Sequence, residues 1–223
     1  MSLKLFLEAL TKFLLGLVLV SVLIFWPAGT LCFLQGWILM VVLFVPMFVA
    51  GIVMLVKNPA LLAKRLNAKE KQKDQGVVVK LSGLMFVAGF VLSGFGVRFG
   101  WYRLPLWVSL AGAGLFLVAY ALYAEVLREN VYLSRTIEVQ EGQKVIDTGL
   151  YGVVRHPMYS ATLLLFGTIP LVLGSVYALA VFAVYPVLIA VRIKGEEQLL
   201  ENELAGYLEY KSKVKWRLIP FVW

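Results

Sequence analysis

Apolar residues fall in long blocks along this chain rather than in alternation. Residues 9–26, 36–56, 81–97 and 106–127 carry at most one charge each, and each approaches the roughly 20 helical residues that cross about 30 Å of hydrocarbon. They predict four membrane spans. A fifth apolar stretch, 158–191, is too long for one span and is interrupted by Pro170, Gly174 and Pro186. These breakers predict two short helices turning near Gly174-Ser175. The total is six crossings, or five with a re-entrant hairpin.

The polar intervals carry their own patterns. Asn58-Pro59 sets an N-cap before a residue preset for the first helical turn, so 59–66 reads as a short surface helix with Lys64 and Arg65 reaching headgroups. Thr136-Ile137-Glu138-Val139 and Lys144-Val145-Ile146-Asp147 flank Gln140-Glu141-Gly142-Gln143, a pattern that predicts a small β-hairpin. Leu200, Leu204, Tyr207, Leu208 and Lys211 recur at helical spacing, which predicts an amphipathic helix over 195–213. Glu197 shares the face of Leu200 and Leu204. A carboxylate on a face that should be buried needs a partner.

Composition agrees with the pattern: 61% hydrophobic residues and 15% charged ones, with a mean hydropathy of +0.86, exclude a soluble domain. The fold class is an all-α integral membrane protein. No repeat or linker divides it, so residues 1–223 form one domain, with 1–127 as a four-helix scaffold and 128–223 as the half that carries chemistry. Of the 21 Lys and Arg residues, all but Arg98 and Arg103 fall on one side of this map. That split predicts an even number of crossings with both termini in the cytoplasm. The net charge of +8 then faces membrane lipids, and no interleaving of bases and aromatics points to nucleic acid. Trp26, Trp37, Trp101 and Trp107 fall near the outer span ends and Trp216 and Trp223 near the inner surface, as in two aromatic belts. The run after Lys4 is too long for the apolar core of a leader, so it is expected to be retained. One cysteine, Cys32, and one histidine allow neither a disulfide nor a zinc set, and no metal is expected.

The densest chemistry lies at Gly149-Leu150-Tyr151-Gly152-Val153-Val154-Arg155-His156-Pro157-Met158-Tyr159, which holds the single histidine and precedes the pair Glu196-Glu197. This order resembles the isoprenylcysteine carboxyl methyltransferases and their bacterial and phospholipid N-methyltransferase relatives. In that family a Gly-x-Tyr turn and an Arg-His-Pro-x-Tyr motif precede a helical hairpin, a Glu-Glu pair, a Leu and spaced tyrosines. Here these read Gly149-Leu150-Tyr151, Arg155 to Tyr159, Glu196-Glu197, Leu200, and Tyr207 with Tyr210. Asn130, Ser134 and Arg135 resemble the family's Asn-x-x-x-Ser stretch. Gln35-Gly36-Trp37 and Asn58-Pro59-x-Leu61-Leu62 resemble bacterial members. Leu204-Ala205-Gly206 departs from the aromatic-Gly pair usual before the tyrosines.

The resemblance implies a methyltransferase that uses S-adenosylmethionine at the cytoplasmic interface of a bacterial inner membrane. It implies a lipophilic small-molecule acceptor, such as an isoprenylcysteine-like carboxylate; a phospholipid amine or a small thiol is the alternative. Arg217, Glu197 and Arg155 are then the catalytic candidates, with Arg217 neutralising an anionic acceptor. His156, Tyr159, Tyr151, Glu196 and Tyr207 are the candidates around the cofactor. The residue types suit the task, since an ammonium wants a carboxylate and a sulfonium suits aromatic walls. In-line displacement on an activated methyl group needs alignment and water exclusion more than an acid or a metal.

Each feature also has a structural reading. His156-Pro157 can be a plain helix start with Arg155 snorkelling to phosphate. Either glutamate can be a first-turn carboxylate. Glu125 is expected to pair with Arg128, Gly112 and Gly114 to allow close helix packing, and Gly94-Phe95-Gly96, inside a span, to bind no nucleotide. A transporter or scaffold is the rival class, and it would show ionisable groups near the bilayer midplane.

Overall fold

In a bilayer every backbone amide must be bonded within the chain, so apolar blocks of this length become helices. The computed structural model describes residues 3–66, 73–134 and 136–223. Helices α1 (Leu3–Ala28) and α2 (Leu34–Lys57) are followed by the short α3 (Pro59–Leu66), then α4 (Lys73–Arg98) and α5 (Leu106–Glu129). A 3-10 turn, Gly149–Gly152, leads to α6 (Pro157–Val172), α7 (Val176–Phe182), α8 (Tyr185–Glu203) and α9 (Tyr207–Lys213).

Among the described residues, five helical stretches are long and apolar enough to cross a membrane: Leu3–Ala28, Leu34–Lys57, Gln75–Arg98, Leu106–Glu129 and Val176–Glu203. Helix α6, with 16 residues, spans only about 24 Å at 1.5 Å per residue. It turns back into α7 through Leu173-Gly174-Ser175, where Ser175 Oγ caps α7 by accepting from the Ala178 N–H at 3.2 Å. The break predicted at Gly174-Ser175 is therefore found.

Lipid tails are as apolar as leucine, so close packing rather than water exclusion joins these helices. A Cβ on Gly94 would come within 2.6 Å of the Ile24 carbonyl, and one on Gly112 within 2.9 Å of Leu171 Cβ. These contacts set α4 on α1 and α5 on α6. Gly114 instead meets nothing within 4 Å, so the expectation of a packing role there is corrected. Phe116, Ile24, Leu39, Ile169 and Val172 are fully buried between the helices, and the Tyr120 hydroxyl donates to the Leu43 carbonyl at 3.0 Å, tying α5 to α2.

The two ends of the bundle differ. At one end Arg98 packs on Gly29, the Arg103 guanidinium lies 4.8 Å from the Phe33 ring centre, and the Leu104 N–H donates to the Gly174 carbonyl at 2.9 Å. The opposite end gathers α3, the segment between α5 and α6, and the C-terminal tail. Asn58 caps α3 there, its Oδ1 accepting from the Leu61 N–H at 3.1 Å. Lys64 and Arg65 do not reach outward as expected: Lys64 Nζ donates to Gln140 Oε1 at 2.6 Å, and Arg65 donates to the Ser134 carbonyl at 3.4 Å and to the Tyr123 hydroxyl. Polar acceptors within reach satisfy these cations in place of headgroups.

Two further expectations are corrected. No strand ladder forms over 136–147 among the described residues. Local bonds use the polar groups a hairpin would need: Gln140 Nε2 donates to the Tyr132 carbonyl at 2.5 Å, the Gln140 N–H to Gln143 Oε1 at 2.9 Å and the Thr136 N–H to Ser134 Oγ at 3.2 Å. The predicted helix over 195–213 is two helices. Helix α8 continues straight through Glu196 and Glu197, and the chain then breaks at Gly206, whose φ of +83° is open to glycine without steric cost.

Candidate active site

Pro157 occupies the first turn of α6, where its missing N–H costs nothing. The N–H groups of Arg155 and His156 lie just ahead of that turn and donate to the Trp216 and Arg217 carbonyls, both at 2.9 Å. Arg155 Nη1 donates to the carbonyls of Val214 at 2.7 Å and Lys215 at 2.9 Å. Ser160 Oγ adds a bond to the Leu218 carbonyl at 2.6 Å. The Arg-His-Pro motif thus docks the tail, and the reading of His156-Pro157 as a helix start also holds.

Glu197 joins α8 to both segments. Its side chain is 4% exposed; Oε1 accepts from Arg155 Nε at 2.8 Å and lies 3.3 Å from His156 Nε2, while Oε2 accepts from Arg217 Nε at 3.0 Å. Both oxygens are engaged, as burial of a carboxylate requires. Glu196 lies about 100° away around the helix and faces other company. Its Oε2 accepts from the Tyr159 hydroxyl at 2.5 Å, and the Tyr159 oxygen accepts from Arg192 Nε at 3.1 Å.

Between these elements lies an open cleft. Its wall includes Tyr151, Arg155, His156, Tyr159, Glu196 and Tyr207 among the residues singled out in the sequence, together with Arg192, Tyr210 and a roof drawn from residues 130–134, 136–138 and 143–146. Glu197 and Arg217 are not on that wall. Arg217 stands behind Glu197 with its side chain 31% exposed and its guanidinium 5.3 Å from the Trp223 ring centre. Arg135 lies outside the described residues. Asn130 anchors the roof: its Oδ1 accepts from the Tyr132 N–H and its Nδ2 donates to the Tyr151 hydroxyl, both at 2.9 Å. The Tyr210 hydroxyl donates to the Tyr151 carbonyl at 2.7 Å. Glu125 pairs locally with Arg128, as expected.

Tyr207 is 3% exposed and its hydroxyl oxygen is buried with no hydrogen-bond partner among the described residues. Burial pushes this phenol far above its usual range, and the Glu197 and Glu196 carboxylates push it further. It is a neutral donor with nothing to donate to. Tyr207→Phe should therefore stabilise the ligand-free protein by about 1 kcal/mol and weaken binding of a ligand that accepts this bond. Thermal unfolding with and without ligand reads both signs, and a loss of ligand-free stability would contradict the unpaired hydroxyl.

Two residues of this end escaped the sequence reading. Arg192 precedes Glu196 by one helical turn, and that i, i+4 spacing of opposite charges in an apolar run was the available signal. Glu129 accepts from the Leu150 N–H at 3.1 Å and fills the space beside Gly149; nothing local in the sequence announces it.

The fold and the cleft define a polytopic helical membrane protein with a carboxylate- and tyrosine-lined site at one end of its bundle. Residues 107–202, which run from α5 to the end of α8, match the model of the isoprenylcysteine carboxyl methyltransferase (ICMT) family. The chain is also 24% identical over 137 residues to the Delta(14)-sterol reductase of Methylotuvimicrobium alcaliphilum. That alignment covers 55% of this chain and 32% of the reductase, so the chain spans about a third of that relative's length.

Proposed function

We propose that the protein is an S-adenosylmethionine-dependent methyltransferase acting at the membrane interface on a lipophilic acceptor, an isoprenylcysteine-like carboxylate being the acceptor that the family match favours. The observation that carries this reading is the cleft between the family segment and the C-terminal helix, lined by Glu196 and Tyr159 from the first and by Tyr207 from the second. The donor set fits: a carboxylate for an ammonium, phenol rings for a sulfonium, and a neutral hydroxyl for an acceptor atom.

Bound there, S-adenosylmethionine supplies a methyl group already activated by its sulfonium. The task of the chain is to align and dry the reacting pair. Glu196 holds the ammonium end, Tyr207 donates into the cleft, Tyr151 and Tyr159 wall it, and Arg155 and His156 face it from the Glu197 cluster. Arg217, paired with Glu197 behind that wall, supports the cluster, and the acceptor's reacting group enters the cleft itself. A water-soluble cofactor made in the cytoplasm places this end of the bundle on the cytoplasmic side of a bacterial inner membrane.

The test is calorimetric titration of the detergent-purified protein with S-adenosylmethionine, S-adenosylhomocysteine, ATP and a reduced nicotinamide dinucleotide. Saturable binding of the first two alone is expected, followed by methylation of a prenylcysteine in preference to a phospholipid amine or a small thiol. The sterol reductase relative makes reduction the rival chemistry, so selective binding of the dinucleotide would overturn the proposal in its favour.

A further inference from the structure

We propose that Arg192 is a positioning residue: by holding the Tyr159 hydroxyl, it fixes the Glu196 carboxylate in the orientation that receives a cationic ammonium group. The inference rests on the cofactor reading above and assigns a role to a residue outside the Arg-His-Pro and Glu-Glu motifs.

The directions of the two hydrogen bonds carry the argument. An arginine can only donate, so the 3.1 Å contact makes the Tyr159 oxygen an acceptor from Arg192 Nε. The single phenolic proton of Tyr159 is then committed to Glu196 Oε2 at 2.5 Å, a distance typical of a bond to an ionised carboxylate. Tyr159 is 4% exposed and its ring packs 5.7 Å from that of His156, so the phenol cannot swing to another partner. Glu196 is therefore held by one oxygen. Among the described residues no hydrogen bond or ion pair reaches its other oxygen, and Glu196, Tyr159 and Arg192 all lie on the cleft wall. The arrangement presents one carboxylate oxygen, fixed in direction, to a ligand in the cleft.

A residue acting through Tyr159 has a signature that a merely structural arginine lacks. The probes are S-adenosylhomocysteine, which carries the ammonium, and 5′-methylthioadenosine, which does not. Arg192→Ala and Tyr159→Phe are each expected to weaken S-adenosylhomocysteine binding about tenfold, and the double variant about tenfold as well, because both changes cut one chain of contacts. Binding of 5′-methylthioadenosine should stay within about twofold, and Arg192→Lys should recover most of the loss by restoring a donor at the end of a long side chain. Equal weakening of both ligands, a double variant near a hundredfold, or no effect of Arg192→Ala would each overturn the role. Wild-type protein that binds neither ligand would overturn the cofactor reading and this role together, whereas wild-type binding with any of the three former results sinks the role alone.

Discussion

Glu197→Gln should lower the unfolding midpoint of the detergent-purified protein by about 10 °C, the shift expected for about 3–5 kcal/mol in a chain of this size. The amide keeps the shape of the side chain but removes the charge that Arg155 and Arg217 share, and it turns an N–H group toward donors at 2.8–3.3 Å. Arg155 is 4% exposed at its side chain, so its charge has no water to retreat to. The same change should loosen the tail, because Arg155 also holds the Val214 and Lys215 carbonyls. Limited proteolysis would show that as new cleavage after residue 213. An unfolding midpoint within about 2 °C of the wild type would mean that the cluster does not hold the tail.

Much of this architecture is legible in the sequence because the relevant physics is local. Hydrophobic length finds the spans, Pro and Gly mark the turn at Gly174, and Asn58-Pro59 announces the α3 cap. The demand of Glu197 for a partner also follows from its place on an apolar face. What the sequence conceals depends on contacts far apart in the chain. Residues 136–147 have strand-like alternation, yet Gln140 and Gln143 satisfy the local backbone and Lys64, 76 residues away from Gln140, pins the loop. The break at Gly206 hides inside a helical spacing that runs on across it. Arg192 looks like a helix-end cation until the fold places Tyr159, 33 residues earlier, against it. The roles of the two adjacent glutamates could not be separated without knowing which face of α8 meets the tail and which meets the cleft.

That separation gives the second large effect. Glu196→Gln should leave the unfolding midpoint almost unchanged, since the carboxylate is only partly buried and its amide oxygen can still accept from Tyr159. Binding of S-adenosylhomocysteine should nonetheless weaken by about tenfold to a hundredfold, the usual worth of one charge-assisted hydrogen bond. A neutral adenine ligand such as 5′-methylthioadenosine should bind as before, because the lost charge faces only the ammonium end. Calorimetry on the two variants then yields opposite phenotypes from neighbouring residues: Glu197→Gln unstable, and Glu196→Gln stable but poor at binding. Unchanged affinity in a stable Glu196→Gln protein would remove this carboxylate from the ligand's path and leave the Tyr159 contact as a structural bond. Such a contrast cannot come from helix propensity or surface charge, which the two positions share; it follows from the 100° rotation between successive residues of α8, which sends one side chain into the protein and the other into the cleft.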